Sequence, residues 1–225
     1  MVGKPIEYRI FESDEYRNLM PKVIEQGFMP ISSKDGMRLI LCALTTRNPE
    51  NIERLVDSYI DTGDGLVAYQ EQLIMVPSAR QLQRINRLTN LVSGKLPFTP
   101  DEISVLKGVR LIRTTLEEAG VNTDLTKAQA LNHPGWLARA GADADLLREF
   151  VEAAYAYVKE RFGYGTTMSF YLPASSDNPL MRAGFISYLG WRFEPGDYGL
   201  LTSPGRIVGI RNQLPDSRLE SLVHV

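Results

Sequence analysis

The sequence contains little cysteine and little histidine. Cys42 is the single cysteine in 225 residues, and His133 and His224 are the two histidines. One cysteine cannot form an intrachain disulfide, and a zinc site would have to depend almost entirely on carboxylates, which is uncommon. We therefore expect neither a disulfide framework nor a metal site. Cys42 lies in the apolar run 39–44, which predicts a buried and unreactive side chain.

The chain also lacks a large excess of charge and a long apolar stretch. Lys and Arg number 25 against 27 Asp and Glu, so the net charge is −2. Such a balance gives no overall field that attracts nucleic acid or an anionic membrane. There is no apolar run of about 18 residues that could cross a bilayer, and the first residues have no apolar signal core. These absences predict a cytoplasmic protein without a membrane partner, and they argue against a nucleic-acid partner.

The overall composition is typical of a folded domain. Apolar residues make up 44% of the chain and charged residues 23%, close to the average for globular proteins. A length of 225 residues fits one large domain, so we interpret 1–225 as a single domain. Of the 20 aromatic residues, 12 lie between Phe150 and Tyr198. This uneven distribution predicts a helical middle segment or insertion at 78–142.

Apolar periodicity predicts an α/β (α+β) fold, in which helices flank a mixed sheet of about five to seven strands. Alternating or continuous apolar runs predict strands at 6–12, 37–44, 65–76, 166–172, 191–193 and 206–210. Apolar residues at spacings of three and four predict helices at 14–26, 49–62, 79–92, 100–119, 144–161 and 179–189. A helix of the same length remains an alternative for 37–44.

Capping residues strengthen two of these helix predictions. Thr99 and Glu102 form a capping box around Pro100, which suits the first helical position. Asp143 is a suitable N-cap for the helix at 144–161. We therefore expect helices to begin at both places.

The last third of the sequence resembles the GCN5-related N-acetyltransferase (GNAT) family. The predicted order of helix, strand, helix, strand and strand over 143–212 is similar to the C-terminal half of that fold. Asn178 occupies a place comparable to the Asn that begins the family's last helix. Leu189-Gly190-Trp191 is similar to the Leu-Gly-Phe-like step into the next strand. The resemblance implies a GNAT-like C-terminal part at 143–212.

As an enzyme of this kind, the protein would be an acyl-CoA-dependent N-acyltransferase acting on a small amine. The resemblance places Arg139, Gly141 and Ala142 near the CoA pyrophosphate and makes Tyr188 the general acid. The sequence departs from the family's Arg/Gln-x-x-Gly-x-Gly/Ala loop, because Arg139 is one place off. Asp143 would also put a carboxylate where the phosphates should lie, and Tyr188 is displaced from the family's position.

These departures leave a second function open, and with it the question of whether the chain is an enzyme. The ornithine decarboxylase antizymes have a related fold that works by protein binding, and the segment 188–196 is similar to their corresponding segment. The alternative is therefore a non-catalytic protein-binding or regulatory module that uses the same fold without CoA. It would present the aromatic-rich last third or the helical middle to a protein partner.

A basic stripe on one predicted helix could also suggest a site. Arg80, Arg84 and Arg87 are spaced by four and three residues on the face opposite the apolar residues, an arrangement that could hold phosphates. In an acidic chain such a stripe is more often a solvated face. We prefer the solvated face.

Two further groups have structural interpretations that we prefer. Asp57, Asp61 and Asp64 could suggest a divalent cation, but their spacing is not that of a calcium loop, and we expect solvated carboxylates. His133 could be a general base, but no nucleophile has a spacing that connects it to this histidine. We expect His133 to form a turn with Pro134.

Overall fold

The computed structural model describes residues 7–186 and 200–211, which form a mixed α/β fold. An eight-stranded sheet is flanked by helices, which confirms the predicted fold class with one strand more than expected. The strands are β1 Glu7–Glu15, β2 Met29–Pro30, β3 Ile60–Tyr69, β4 Gln72–Val76, β5 Leu96–Pro97, β6 Val109–Ile112, β7 Leu125–Thr126, β8 Thr166–Thr167, β9 Leu180–Ile186 and β10 Pro204–Arg211. The helices are α1 Tyr16–Glu25, α2 Ser33–Thr46, α3 Pro49–Asn51, α4 Arg80–Gln83, α5 Pro100–Val105, α6 Arg113–Ala119, α7 Lys127–Asn132, α8 Pro134–Arg139 and α9 Ala144–Phe162.

The main sheet is built around β3. Its path runs β1-β10-β3-β4-β6, β9 pairs with β3, and the two-residue strands β2 and β5 add to β10 and β9. β3 and β10 are parallel, whereas the other pairs of this sheet are antiparallel. β7 and β8 form a separate two-stranded sheet.

The sheet separates two apolar cores. Successive side chains of a strand point to opposite faces, so Leu66 and Ala68 of β3 lie in one core and Val67 lies in the other. The first core packs against helices α2 and α9 and contains the buried Trp136 and Phe150. The second core packs against α1, α4 and α5. Each face of the sheet therefore excludes water under a separate set of helices.

Several predicted elements are confirmed near their expected bounds. β1, α1, α9 and β10 correspond to the predictions at 6–12, 14–26, 144–161 and 206–210. The single strand predicted at 65–76 is instead a hairpin, because the chain reverses at residues 70–71 between β3 and β4. The capping box of Thr99 and Glu102 begins α5. Cys42 is buried, as expected, and desolvation raises the pKa of its thiol.

Other predicted elements are wrong. Residues 37–44 lie inside helix α2, the alternative that the sequence left open, because Ser32 caps the helix by accepting a hydrogen bond from the Asp35 N–H. The predicted helix at 179–189 contains strand β9, and the predicted strand at 166–172 is reduced to β8. The predicted strand at 191–193 lies outside the described residues.

The three helices predicted between 49 and 119 are shorter than expected. The first is α3 followed by a π-helical turn at Ile52–Val56, and the second is the four-residue α4. The third is divided into α5, β6 and α6. The proposed division of the chain at 78 and 142 stays a prediction. Over residues 7–186 and 200–211, no helix is both long enough and apolar enough to span a bilayer.

The confirmed cap of α9 generates a testable prediction. The Asp143 carboxylate accepts a hydrogen bond from the Leu146 N–H at 3.0 Å, and it also lies 3.5 Å from the Lys34 ammonium. We expect Asp143→Ala to lower the free energy of unfolding by about 0.5–2 kcal/mol, the usual effect of losing an N-cap. Urea unfolding monitored by circular dichroism measures this.

Asp143→Asn is the matched control, since Asn also caps helices well but carries no charge. It should stay within about 0.5 kcal/mol of the wild type, because the partly exposed ion pair contributes little. An equal loss for Asn and Ala would show that charge, rather than the cap, stabilises this helix start.

Candidate binding surface

The residues predicted to hold CoA do not form a common surface. The Arg139 side chain is buried, and its guanidinium donates a hydrogen bond to the Phe185 carbonyl oxygen at 2.9 Å. Burial lowers the pKa of this guanidinium to about 10. Gly141 and Ala142 are exposed in the turn between α8 and α9, both with positive φ. Tyr188 lies outside the described residues, and the assignment of these four residues to a site stays a prediction.

The carboxylates of β3 are buried, which corrects the expectation that they are solvated. The Asp61 side chain is 5% exposed and accepts a hydrogen bond from the Arg206 N–H at 2.8 Å. The Asp64 side chain is equally buried and accepts from the Ser33 N–H at 2.7 Å and the Ser78 N–H at 2.8 Å. The hydrogen-bond partners of the two carboxylates are therefore backbone N–H groups of the protein itself.

The environment of Asp61 disfavours its charged form. Desolvation raises the pKa of the Asp61 carboxyl to about 7, although the hydrogen bond from the Arg206 N–H acts in the opposite direction. Asp57, in contrast, is part-exposed and pairs with Arg161 at 2.6 Å. No group of three or more His, Cys, Asp or Glu side chains within 7–186 and 200–211 could hold a metal ion.

His133 is fully buried and both ring nitrogens have partners. Nε2 lies 2.9 Å from the Gly120 carbonyl oxygen, and Nδ1 accepts a hydrogen bond from the Gly135 N–H at 3.1 Å. Burial lowers the pKa of the imidazole. Because Nδ1 accepts, the hydrogen must lie on Nε2. The side chain thus caps α8, in agreement with the turn-forming role that we preferred.

An exposed apolar residue dominates the segment after α4. Residues 86–89, here named the Leu88 turn, hold a leucine whose side chain is 93% exposed. Three hydrogen bonds fix the turn: Asn86 N–H to Thr89 Oγ1 at 2.9 Å, Leu88 N–H to Asn86 Oδ1 at 2.9 Å, and Thr89 N–H to the Asn86 carbonyl oxygen at 3.0 Å. The leucine is therefore exposed by a defined local structure.

Two buried residues before the Leu88 turn and a backbone hydrogen bond after it connect this segment to the second core. Leu82 and Ile85 precede it and are at most 2% exposed. After it, the Gly94 carbonyl oxygen accepts a hydrogen bond from the Leu201 N–H at 2.7 Å. The turn is thus anchored at both of its ends.

The surroundings of the Leu88 turn are cationic. No acidic residue occurs between Glu71 and Asp101, a stretch that contains Arg80, Arg84, Arg87 and Lys95. The three arginines are exposed, and among the residues that the structure describes they have no ion-pair partner. They do not form the predicted helical stripe, because α4 ends at Gln83. The segment 80–88 thus combines an exposed leucine with three exposed guanidinium groups.

Comparisons with known proteins identify the fold. No protein-family model and no curated protein matches the sequence. A solved structure from Nanoarchaeota, described as showing the accommodation of massive sequence variation by the C-type lectin fold, is similar with a TM-score of 0.65 and 16% identity. The match covers 94% of this chain and 100% of that chain. The fold is similar to the C-type lectin fold. At this identity the likeness establishes the fold alone.

The C-type lectin-like fold shows that the predicted GNAT resemblance, with its antizyme-like relatives, is wrong. The acyltransferase function inferred from that resemblance is overturned with it. The structural reason lies at 179–189, where the resemblance required a helix after Asn178. The chain instead forms β9, which pairs with β3 in the centre of the sheet.

Sequence reasoning missed the exposure of Leu88. The helix predicted at 79–92 placed this leucine in one apolar stripe with Leu82, Ile85, Leu91 and Val92. Two signals were available: the long stretch without carboxylates, and Asn86 followed by Thr89, since Asn and Thr side chains commonly fix turns.

Asp61 in this C-type lectin-like fold generates a prediction about pH. The folded pKa of about 7 lies above the ordinary value of 3.8. The contribution of Asp61 to the free energy of unfolding is therefore largest below pH 4, and it is lost as the pH rises through about 7. Asp61→Asn keeps an oxygen that can accept from the Arg206 N–H but cannot ionise. We expect the stability of the wild type relative to this variant to fall by roughly 2–4 kcal/mol between pH 4 and pH 7.

Urea unfolding of both proteins at pH 4, 5.5 and 7 measures this difference. Asp101→Asn is the control, because Asp101 is exposed, and its difference from the wild type should stay constant. A constant difference for Asp61→Asn as well would contradict the raised pKa.

Proposed function

We propose that this chain is a non-catalytic binding module that docks an acidic protein partner on the Leu88 turn. The observation that carries the proposal is the 93% exposure of Leu88 on a turn held by three hydrogen bonds. A leucine held away from the protein by local structure is suited to enter an apolar pocket on another molecule. This develops the non-catalytic alternative that the sequence left open.

The energetics of such a contact are favourable. Transferring a leucine side chain from water into an apolar pocket contributes about 1.5–3 kcal/mol. Binding usually loses part of such a gain in ordering flexible side chains and loops. The hydrogen bonds of the Leu88 turn have already ordered this backbone, so less is lost on binding.

The charge of the surface defines the partner. Arg80, Arg84 and Arg87 are exposed without carboxylate partners among the described residues. Arginine forms paired hydrogen bonds with carboxylates, and unpaired guanidinium groups at the rim of a contact favour an acidic partner. Since the whole chain carries a net charge of −2, the attraction is local to this surface.

The fold supports a binding function. The similar Nanoarchaeota structure is described as accommodating massive sequence variation in the C-type lectin fold. A scaffold of that kind keeps its core while its surface residues change. In this chain the two cores lie beneath the helices, and Leu88 contributes almost no buried area, so its identity is free to serve a contact.

The buried polar groups give further support to a non-catalytic role. Asp61, Asp64 and His133, three described groups capable of acid–base chemistry, are buried and bonded to backbone groups. A general base must reach the proton that it removes. These three side chains instead stabilise the fold.

The test is a quantitative capture of proteins from extracts of the source cells on four immobilised baits. The baits are the wild type, Leu88→Ser, the double variant Arg84→Glu with Arg87→Glu, and Val105→Ser. Val105 is the matched control because it is 78% exposed on α5 and lies outside the Leu88 turn. We expect an acidic protein whose recovery falls at least about tenfold with Leu88→Ser and with the double variant, but not with Val105→Ser.

The captured protein is then purified and its affinity for each bait measured by calorimetry. Leu88→Ser should leave the urea midpoint unchanged, because the side chain is exposed in the free protein. Equal affinity for all four baits would refute the Leu88 turn as the docking site.

A further inference from the structure

Strand β6 is an open edge of the main sheet. It lies at the end of the strand path and pairs with β4 alone among the described strands. An edge strand has a row of backbone N–H and C=O groups that a further strand can pair with. Which residues provide these groups follows from the hydrogen-bond pattern with β4.

One hydrogen bond just after β6 shows which residues of β6 bond to β4. The Arg113 N–H donates to the Glu71 carbonyl oxygen at 2.9 Å, and residues 113 and 71 continue the register of the two strands. Hydrogen-bonded pairs alternate along an antiparallel ladder, so the odd-numbered residues of β6 bond to β4. The N–H and C=O groups of Arg110 and the N–H of Ile112 therefore point away from the sheet. The Ile112 C=O is excluded, because Ile112 is the N-cap of α6 and its carbonyl oxygen accepts the first hydrogen bond of that helix.

The hairpin on the other side of β4 agrees with this assignment. Tyr69 pairs with Gln72 across a two-residue connection, and a closing pair of this kind is normally hydrogen-bonded. Gln72 and Ile74 then bond to β3, which leaves Leu73 and Met75 to bond to β6. Two independent features thus give the same outward residues.

The strands at the two ends of the path β1-β10-β3-β4-β6 differ in protection. β1, at the opposite end, carries five charged residues in nine and has a register shift near Ser13, whose φ is 70°. Charged side chains and bulges are the usual protection against added strands. β6 has neither a bulge in its pairing nor a carboxylate, and its Val109 and Ile112 are 40% and 59% exposed.

The charge beside β6 selects the added strand. Lys107 and Arg110 are exposed. The Arg110 guanidinium donates to the Ile103 carbonyl oxygen at 2.7 Å and, among described residues, has no ion pair with a carboxylate. A neighbouring strand with carboxylates would pair with these cations across the ladder.

We infer that β6 accepts a ninth strand from an acidic, extended segment of a partner protein. This goes beyond the docking of a partner on the Leu88 turn, since the contact needs only β6 and its flanking cations. Side chains of a strand alternate between faces, so acidic residues of the added strand would lie beside Arg110 and aliphatic residues beside Val109.

The probe is the acetylated and amidated hexapeptide Glu-Val-Glu-Val-Glu-Val, titrated into ¹⁵N-labelled full-length protein and followed by NMR. We expect the largest amide shifts at Arg110 and Ile112, and at least tenfold weaker binding of the corresponding Lys-Val peptide. Absence of binding by the Glu-Val peptide would overturn the inference. Equal binding of both peptides would overturn its electrostatic part.

Ile112→Pro is the decisive variant. Ile112 has a φ of −75°, which proline adopts, and its N–H is not part of the ladder with β4. The variant should keep the fold, as circular dichroism and the urea midpoint report, and bind the peptide at least tenfold more weakly. Ile112→Val is the matched control and should bind as the wild type does. Unchanged binding by Ile112→Pro would exclude strand addition.

A second readout does not depend on the folding of the proline variant. Arg110→Gln should weaken binding of the Glu-Val peptide severalfold while leaving the backbone edge intact.

Sedimentation of the protein alone tests whether a second copy of this chain is the occupant of the β6 edge. Self-association that is lost in Ile112→Pro and that competes with the Glu-Val peptide would show that a second copy occupies β6. That result would overturn the inference of an acidic partner. If the capture experiment refuted the Leu88 turn as a docking site, this inference would be unaffected, because the peptide titration tests β6 alone.

Discussion

The structure depends on the hydrogen bonds that two buried carboxylates make beside the centre of the sheet. β3 changes register against β9 between Asp61 and Gly65, so ladder bonds cannot serve every neighbouring backbone group. Asp64 accepts from the Ser33 and Ser78 N–H groups, and Asp61 accepts from Arg206. An unpaired buried N–H would destabilise the fold by about 1–3 kcal/mol. Through these bonds the two carboxylates connect three segments to β3. The segments are the start of α2, the start of β10 and the residues just before α4.

Elements with strong local signals could be predicted from the sequence. The alternation in β1, the Asp143 cap of α9 and the apolar run of β3 depend on neighbouring residues, and the structure confirms them. The segment 100–119 could not be predicted in the same way. Its apolar spacing suits one helix, but a Cβ on Gly108 would lie 2.5 Å from the Met75 carbonyl oxygen. The close approach of β4 decides the local structure there.

The candidate site was predictable in its charge but not in its shape. The absence of carboxylates between Glu71 and Asp101 is visible in the sequence. The exposure of Leu88 has only the turn residues Asn86 and Thr89 as a specific sequence signal, because the helix that would have buried it ends at Gln83 and this end depends on packing in the second core. The GNAT resemblance failed for a similar reason, since Leu180–Ile186 becomes a strand through pairing with β3 and β5.

The pairing of β1 with β10 has a consequence for the order of folding during synthesis. Arg211 and Glu7 form an ion pair across 204 positions of sequence. Pairings between distant residues form slowly, because a long loop must close first. On the ribosome, β1 emerges before β10 and has to remain without this partner until residue 211 has been made. Its five charges keep this waiting segment hydrated, so the feature that protects an edge in the folded protein also protects the nascent chain.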